Sequence, residues 1–319
     1  MTSIALQPGA LKNKVDPIKL GVLSDFRDPK VDTLTQALNF DRDNEGLLTV
    51  RGGRTSRYTG TPHSWWTDPR NDSFGYFVEE SLLKRLNSDY IATTIATLGV
   101  NLPLAYEPIN DQLVVTNGVN IGWLDQETFT EFAPTLSQFE KKTPAGQYLA
   151  FYNGTLYIAN GSTIIATKPW NAERTDERYN TFPMNGYIRM LAAVEDGLWV
   201  ATDREAGFIT GGGPEEFQYV FKTKHTPPDG AFSTDTEETA GAVSKVVRWV
   251  SKEGFCEGRS GGAYSNLSVG DVALPTGTSG ACFHRNNNGT NQTVAVIRNP
   301  EGADDFTGPT LTINSITVS

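Results

Sequence analysis

The sequence predicts an all-β chain folded as a β-propeller, and three recurring segments are the main reason. Each consists of a turn followed by an apolar strand, and they cover residues 111–115, 153–159 and 196–201. Their leucines, Leu113, Leu156 and Leu198, are 43 and 42 residues apart. This is the period at which a four-stranded propeller blade repeats. We therefore expect the three leucines to occupy equivalent inward positions in successive blades.

The turns in these segments have the composition of tight hairpins. Asn153-Gly154 and Asp196-Gly197 supply the positive φ angles that two-residue hairpin loops need, and apolar residues suited to a half-buried strand follow. Weaker copies of the pattern occur at residues 252–256, 75–78 and 44–50. Together they predict six blades, with seven as the alternative, and an insertion between Leu198 and Phe255.

Composition supports many short strands. The chain has 319 residues with 31 glycines and 17 prolines, and it lacks a sustained run of apolar residues at helical spacing. One short helix is predicted at residues 80–87. Residues 1–40 are expected to form an extended arm and the start of the ring, and residues 41–319 the propeller. A long loop is predicted near 223–242, and a last strand at 310–318.

Charge and hydropathy exclude some function classes. The net charge of −10 argues against a broad basic surface that grips nucleic acid. No segment has the length of a continuous apolar membrane span, and the first twenty residues lack the hydrophobic stretch of a signal peptide. We expect a soluble protein, made in a cytoplasm, whose two cysteines, Cys256 and Cys282, are structural thiols.

Motifs that suggest an enzyme are weak. Residues 258–262 match the G-x-S-x-G pattern around Ser260, but the following residues predict a turn and a strand rather than the helix that a nucleophile elbow requires. The three histidines, His63, His225 and His284, are not at metal-ligand spacing. Residues 41–46 resemble the start of a calcium loop without its last acidic ligand. We expect no catalytic residue, no cofactor and no metal.

Two sets of side chains are candidates for subunit contacts. Trp65 and Trp66 stand in a loop-like context, as does Trp170. Packing between blades is the first interpretation of these rings and a subunit interface the second. The second set is Arg51, Arg54 and Arg57, which could form ion pairs between subunits or lie on a solvated loop.

Three stretches of the chain resemble bacteriophage tail propeller proteins. They are residues 37–53, with their asparagine, acidic turn and Arg-Gly element; residues 190–203 followed by 213–217; and residues 253–268. The resemblance spans roughly residues 20–275. The chain is shorter than many tail nozzles, and it has Arg51-Gly-Gly-Arg54 where a denser arginine run followed by proline is more usual.

The resemblance implies a structural virion protein, assembled in the host bacterial cytoplasm, that forms a nozzle or hub ring continuing the DNA exit channel. The implied partners are copies of the chain, in six-fold symmetry, with portal or adaptor proteins above and distal tail proteins or fibres below. Genomic DNA would contact it only in transit, and it would not insert into a membrane. Two alternatives remain: a carbohydrate-binding or glycoside-cleaving propeller, which needs an axial pocket with exposed aromatic rings and carboxylates, and a cellular interaction scaffold.

Overall fold

A computed structural model describes residues 40–42, 48–50, 58–68, 71–176, 178–239, 242–267, 277–287, 290–298 and 311–314. Regular structure in these residues consists of antiparallel strands and two single 3₁₀ turns, Pro214–Glu216 and Ser260–Gly262. None of the described residues belongs to a helix with the length and hydrophobicity that a membrane crossing would need.

The strands form a series of small antiparallel sheets along the chain. A short hairpin of β1 (Phe40–Arg42) and β2 (Leu48–Val50) comes first. Blade 1 contains β3 (His63–Asp68), β4 (Asn71–Glu79), β5 (Leu82–Asn87) and β6 (Ala92–Thr97). Blade 2 contains β7 (Ala105–Ile109), β8 (Gln112–Thr116), β9 (Ile121–Asp125) and β10 (Thr128–Glu131).

Blade 3 is preceded and interrupted by the two strands of a separate pair, β11 (Lys141–Lys142) and β15 (Arg174–Thr175). Its own strands are β12 (Tyr148–Tyr152), β13 (Thr155–Asn160), β14 (Thr163–Ala166) and β16 (Thr181–Pro183). Blade 4 contains β17 (Ile188–Val194), β18 (Gly197–Thr202), β19 (Ala206–Thr210) and β20 (Gln218–Thr223).

Blade 5 contains β21 (Phe232–Thr239), β22 (Ala242–Ser251), β23 (Gly254–Gly258) and β24 (Tyr264–Asn266). A three-stranded sheet, here called the last sheet, follows with β25 (Ser279–Asn287), β26 (Thr290–Arg298) and β27 (Leu311–Asn314). Neighbouring sheets meet through β7 and β12, β12 and β17, β17 and β22, and β21 and β25. The all-β propeller is confirmed, with five four-stranded blades in the described residues where six blades were expected.

The repeated leucines have equivalent positions, as the sequence predicted. Leu113, Leu156 and Leu198 are each the second residue of the second strand of their blade, in β8, β13 and β18. All three side chains are buried. The turn before each strand closes a hairpin onto the first strand of the same blade, so the repeated phrase marks the hairpin that anchors each blade in the core.

The weaker copy at Phe255 lies elsewhere in its blade. Its turn joins β22 to β23, which are the second and third strands of blade 5. The reason is that β21 precedes this hairpin and pairs with the other edge of β22. The pattern therefore identified a real hairpin whose place in the sheet is shifted by one strand.

The long loop expected near 223–242 is largely a strand. Residues 224–231 connect two blades, but Phe232–Thr239 forms β21 and pairs with β22 along its whole length. Two of its acidic residues, Asp235 and Glu237, form ion pairs with Arg248 on β22. Threonine is common in strands. The ion pairs with Arg248 neutralise two acidic side chains, so this segment can pair in a sheet and does not have to stay in solvent.

The short helix predicted at residues 80–87 is wrong. Glu80 and Ser81 form the turn between β4 and β5, and Leu82–Asn87 is the strand β5. Leu82, Leu83 and Leu86 fit a helical face in isolation, but the strand lies between β4 and β6 and gains hydrogen bonds on both edges. Sheet pairing overrides the local pattern.

Candidate functional site

The predicted interface residues divide into two groups. Arg51, Arg54 and Arg57 lie outside the described residues. Trp65 and Trp66 are described, and both lie on the strand β3, not on the loop that the sequence suggested. They point to opposite sides of this strand, as consecutive strand residues do.

Trp66 packs inside the propeller. Its ring stacks on Tyr76 of the same blade, with ring centroids 5.8 Å apart, and on Tyr106 of blade 2, with centroids 6.0 Å apart. Trp66 therefore packs between blades 1 and 2, which was the first interpretation of this ring.

Trp65 remains half exposed. Its ring is stacked on the buried Phe77 with centroids 4.6 Å apart, and 49% of the residue is accessible to solvent. Because β3 is an edge strand of blade 1, a large apolar surface stands at the edge of a rigid sheet.

A second edge strand exposes one apolar residue on each of its faces. β20 pairs with β19 and ends the sheet of blade 4. Its consecutive residues Val220 and Phe221 point to opposite faces and are both exposed. Exposed apolar edge strands favour pairing with another chain, and isolated proteins usually protect such edges with charges or bulges.

The segment around Ser260 is a turn that packs against blade 4. The Ser260 hydroxyl donates a hydrogen bond to Glu195 Oε2, and the Gly261 amide donates to Asp196 Oδ2 at 2.7 Å. The Trp199 indole donates to the Arg259 carbonyl at 3.0 Å. These bonds hold the glycine-rich turn over the 195–196 hairpin and give its residues a structural role.

The three histidines have separate environments. His63 Nε2 lies 2.8 Å from Asn101 Oδ1, His225 Nδ1 lies 2.8 Å from the Tyr264 hydroxyl, and His284 Nε2 lies 3.0 Å from Asp235 Oδ2. The described part of the chain contains no group of three or more His, Cys, Asp or Glu side chains that could hold a metal ion.

His284 of the last sheet contacts an ion network whose other members lie on blade 5 or directly follow its strand β23. At its centre is Arg248, only 2% exposed on its side chain, whose guanidinium bonds Asp235 at 3.1 Å, Glu257 at 3.1 Å and Glu237. Arg259 bonds Glu237 and Glu257, each at 2.6 Å. Burial and Arg248 lower the pKa of His284, and Asp235 opposes this shift. We call these residues the Arg248 network.

A cavity of about 340 Å³ opens between blades 2 and 3. The hairpin turns of both blades, strand β9 and the segment between β14 and β16 contribute to its walls. The lining residues used below are Asn110, Gln112, Trp123, Gly154, Trp170 and Glu173. Its volume lies within the range of small-molecule sites.

Trp170 is the most exposed large hydrophobic residue beside this cavity, at 77%. Its amide donates to the Gly154 carbonyl at 2.7 Å, and its ring meets Phe151 edge to face with centroids 6.4 Å apart. A Cβ on Gly154 would lie 2.7 Å from Trp170 Cε2. The expectation of packing between blades is therefore wrong for this tryptophan, whose ring contacts Gly154 and Phe151 and is otherwise largely exposed.

Glu107 is a perturbed acid on the neighbouring strand β7. Its Oε1 accepts a hydrogen bond from the Phe151 amide at 3.0 Å. Burial raises the pKa of Glu107 to about 8, although the Phe151 amide and Lys245 both act to lower it. A carboxyl with a raised pKa lies between blades 2 and 3, in a part of the molecule that no motif identified.

Comparison with known proteins adds little beyond the fold. No family model matches the chain, and no curated protein matches it. Solved structures that match include BBS1N in complex with ARL6DN, with 11% identity over 70% of this chain and 71% of that chain and a TM-score of 0.48. The N-terminal domain of Nup159 has 12% identity over 70% and 71%, with a TM-score of 0.43.

A third match is an extracellular domain assigned to a hybrid two component system of B. thetaiotaomicron. It has 12% identity and a TM-score of 0.49, and the match covers 88% of this chain but 35% of that chain. Likenesses at this level assign no activity, so function has to be argued from the residues of this chain.

Proposed function

We propose that the protein is a structural component of a bacteriophage tail, without catalytic activity, that assembles with copies of itself into a nozzle or hub ring. In this role it would continue the DNA exit channel between portal or adaptor proteins and the distal tail proteins or fibres. The proposal starts from the sequence resemblance, whose second stretch falls on β17 and β18 of blade 4 and whose third falls on β23 and β24 of blade 5.

The observation that carries the proposal is the pair of exposed apolar edge strands. Trp65 on β3, and Val220 and Phe221 on β20, present large apolar groups on two different blades. Contacts between unlike surfaces of identical copies close into a ring when the rotation between copies closes. Burial of these groups stabilises association by about 25 cal/mol for each Å² of apolar surface removed from water.

The charge of the chain fits a channel through which DNA must move. A net charge of −10 gives a net repulsion of phosphate, whereas a row of unpaired basic residues would hold DNA by counterion release. Arg51, Arg54 and Arg57 remain predicted partners of acidic groups on the neighbouring subunit.

Negative-stain electron microscopy of the purified chain, combined with a duplex DNA-binding assay, tests the proposal. We expect closed rings of uniform size and no tight binding to DNA. The sequence resemblance implies six copies in each ring. Monomers at every concentration, or tight DNA binding that weakens steeply with salt, would contradict a tail ring.

A further inference from the structure

The turn that carries Trp170 has a conformation that is unusual for this residue. Lys168 and Asn171 close the turn, with the Asn171 amide donating to the Lys168 carbonyl at 3.0 Å. Pro169 takes the second position, and Trp170 the third with φ of 59°. A turn with proline second and positive φ third favours glycine at the third position.

The backbone strain at Trp170 suggests that this residue contributes to a ligand site. For a residue with a side chain, the left-handed region is strained, and an exposed indole ring also gains no stabilisation from burial. Strained residues of this kind are concentrated at ligand sites. Here the strain holds a flat ring at the mouth of a cavity, against the bare backbone of Gly154.

The polar groups of the cavity are available for a ligand. Trp123 Nε1 donates to Glu173 Oε1 at 2.7 Å, which orients the carboxylate. The other oxygen, Glu173 Oε2, has no hydrogen-bond partner among the described residues. The exposed side-chain amides of Asn110 and Gln112 likewise bond no described residue, and both line the cavity.

We propose that this cavity binds a neutral pyranose sugar, with the sugar's C–H face on the Trp170 ring. The π face of an indole carries partial negative charge and attracts weakly positive C–H groups. Hydroxyl groups both donate and accept, and the carboxylate and amides of the cavity offer acceptors and donors to match. The site goes beyond the ring proposed above and does not rest on it.

Other small ligands fit this chemistry less well. A phosphate group would face the carboxylate of Glu173, and the guanidinium of Arg174, which also lines the cavity, is already paired with Glu140 at 3.4 Å. A nucleobase is bound best when sandwiched between parallel rings, but Phe151 stands at 70° to Trp170. Cleavage of a glycosidic bond uses a pair of carboxylates, and Glu173 is the single carboxylate among the described residues that line the cavity. Binding without cleavage is therefore the activity proposed.

A glycan array followed by calorimetric titration of the full chain tests the proposal. The probes are neutral hexoses, N-acetylhexosamines and their short oligomers, with nucleosides and sugar phosphates as competitors. We expect saturable binding of at least one neutral glycan. In Trp170→Ala the affinity should fall about tenfold or more, which corresponds to about 1.4 kcal/mol, and Glu173→Gln should weaken it while preserving the shape of the side chain.

Tyr179→Ala is the matched control, because Tyr179 is another exposed aromatic residue of the same inter-strand segment but does not line the cavity. It should leave binding unaltered. Because Trp170 is exposed, its alanine variant should keep the wild-type melting temperature, which separates loss of binding from loss of folding. Failure of every neutral glycan to bind, equal binding by Trp170→Ala, or binding only of nucleosides or sugar phosphates would overturn the proposal.

Discussion

The junction between blades 3 and 4 and the junction between blade 5 and the last sheet differ in whether buried charges accompany the apolar side chains. Between blades 3 and 4 the buried side chains are apolar, among them Tyr157, Leu191 and Leu198. Between blade 5 and the last sheet, a smaller apolar cluster around Val250 and Phe255 is accompanied by charges. Asp235, an ion-pair partner of the buried Arg248, also contacts His284. The comparison shows that apolar packing is common to both junctions and that oriented charges are added at the end of the propeller.

The largest effect should come from breaking the Arg248 network. Arg248→Ala leaves Asp235, Glu237 and Glu257 close together with a deficit of positive charge. Removing one partner of a buried ion pair costs about 3–5 kcal/mol. We expect a loss of this size in the free energy of unfolding, measured with urea.

Arg259→Ala is the control for this variant, because it removes a bond to two of the same carboxylates from a side chain that is 40% exposed. An exposed ion pair contributes about 0–1 kcal/mol. If the two variants lost equal stability, burial of Arg248 would not be the source of its effect.

Leu198→Ala tests the apolar junction. Truncation of a fully buried leucine costs about 2–5 kcal/mol, depending on how far the cavity collapses. The loss should be the same at low and high salt, because no charge is involved, whereas the Arg248→Ala loss should vary with salt. Val220→Ala, at an exposed site, should change stability by about 0.5 kcal/mol or less. A salt-dependent loss in Leu198→Ala would remove the distinction between the junctions.

Glu107→Gln sharpens the comparison with a third junction, between blades 2 and 3. The pKa of Glu107 is raised to about 8 by burial, so between about pH 4.5 and 8 the folded chain keeps a proton that the unfolded chain releases. Stability contributed by this group is therefore present at low pH and lost as the pH rises to 8.

The glutamine variant should show a flatter decline of stability across this window, measured as melting temperature against pH. The Phe151 amide keeps an acceptor in the variant. A wild-type profile that is already flat between pH 5 and 8, or an identical slope in the variant, would show that Glu107 ionises normally.

Much of the regular part of the fold could be predicted from local sequence. Leu113, Leu156 and Leu198 could be placed because each follows a turn with a recognisable composition and because the apolar strands repeat. The acidic segment of β21 was missed because Asp235 and Glu237 are stabilised by an arginine on the next strand. No local pattern shows that a charge will be neutralised after folding.

The cavity was beyond prediction from the sequence for a related reason. Asn110 and Gln112 belong to the β7–β8 hairpin of blade 2, and Trp170 and Glu173 to the segment between β14 and β16 of blade 3. The stacking of the two blades brings these segments together. The positive φ of Trp170 cannot be inferred from its side chain. The one available signal was Pro169 before an aromatic residue in a short polar segment, which indicates a turn but not its handedness.

The most direct measurement of the central claim, that the exposed edge strands join copies of this chain into a ring, is sedimentation velocity over a range of concentrations. The account predicts one oligomer of fixed size for the wild type, and monomers for Phe221→Ser combined with Trp65→Ser. The control, Tyr179→Ser, removes an exposed aromatic residue that lies outside both edge strands and should assemble like the wild type. A wild type that stays monomeric at every concentration, or a double variant that assembles normally, would contradict the claim.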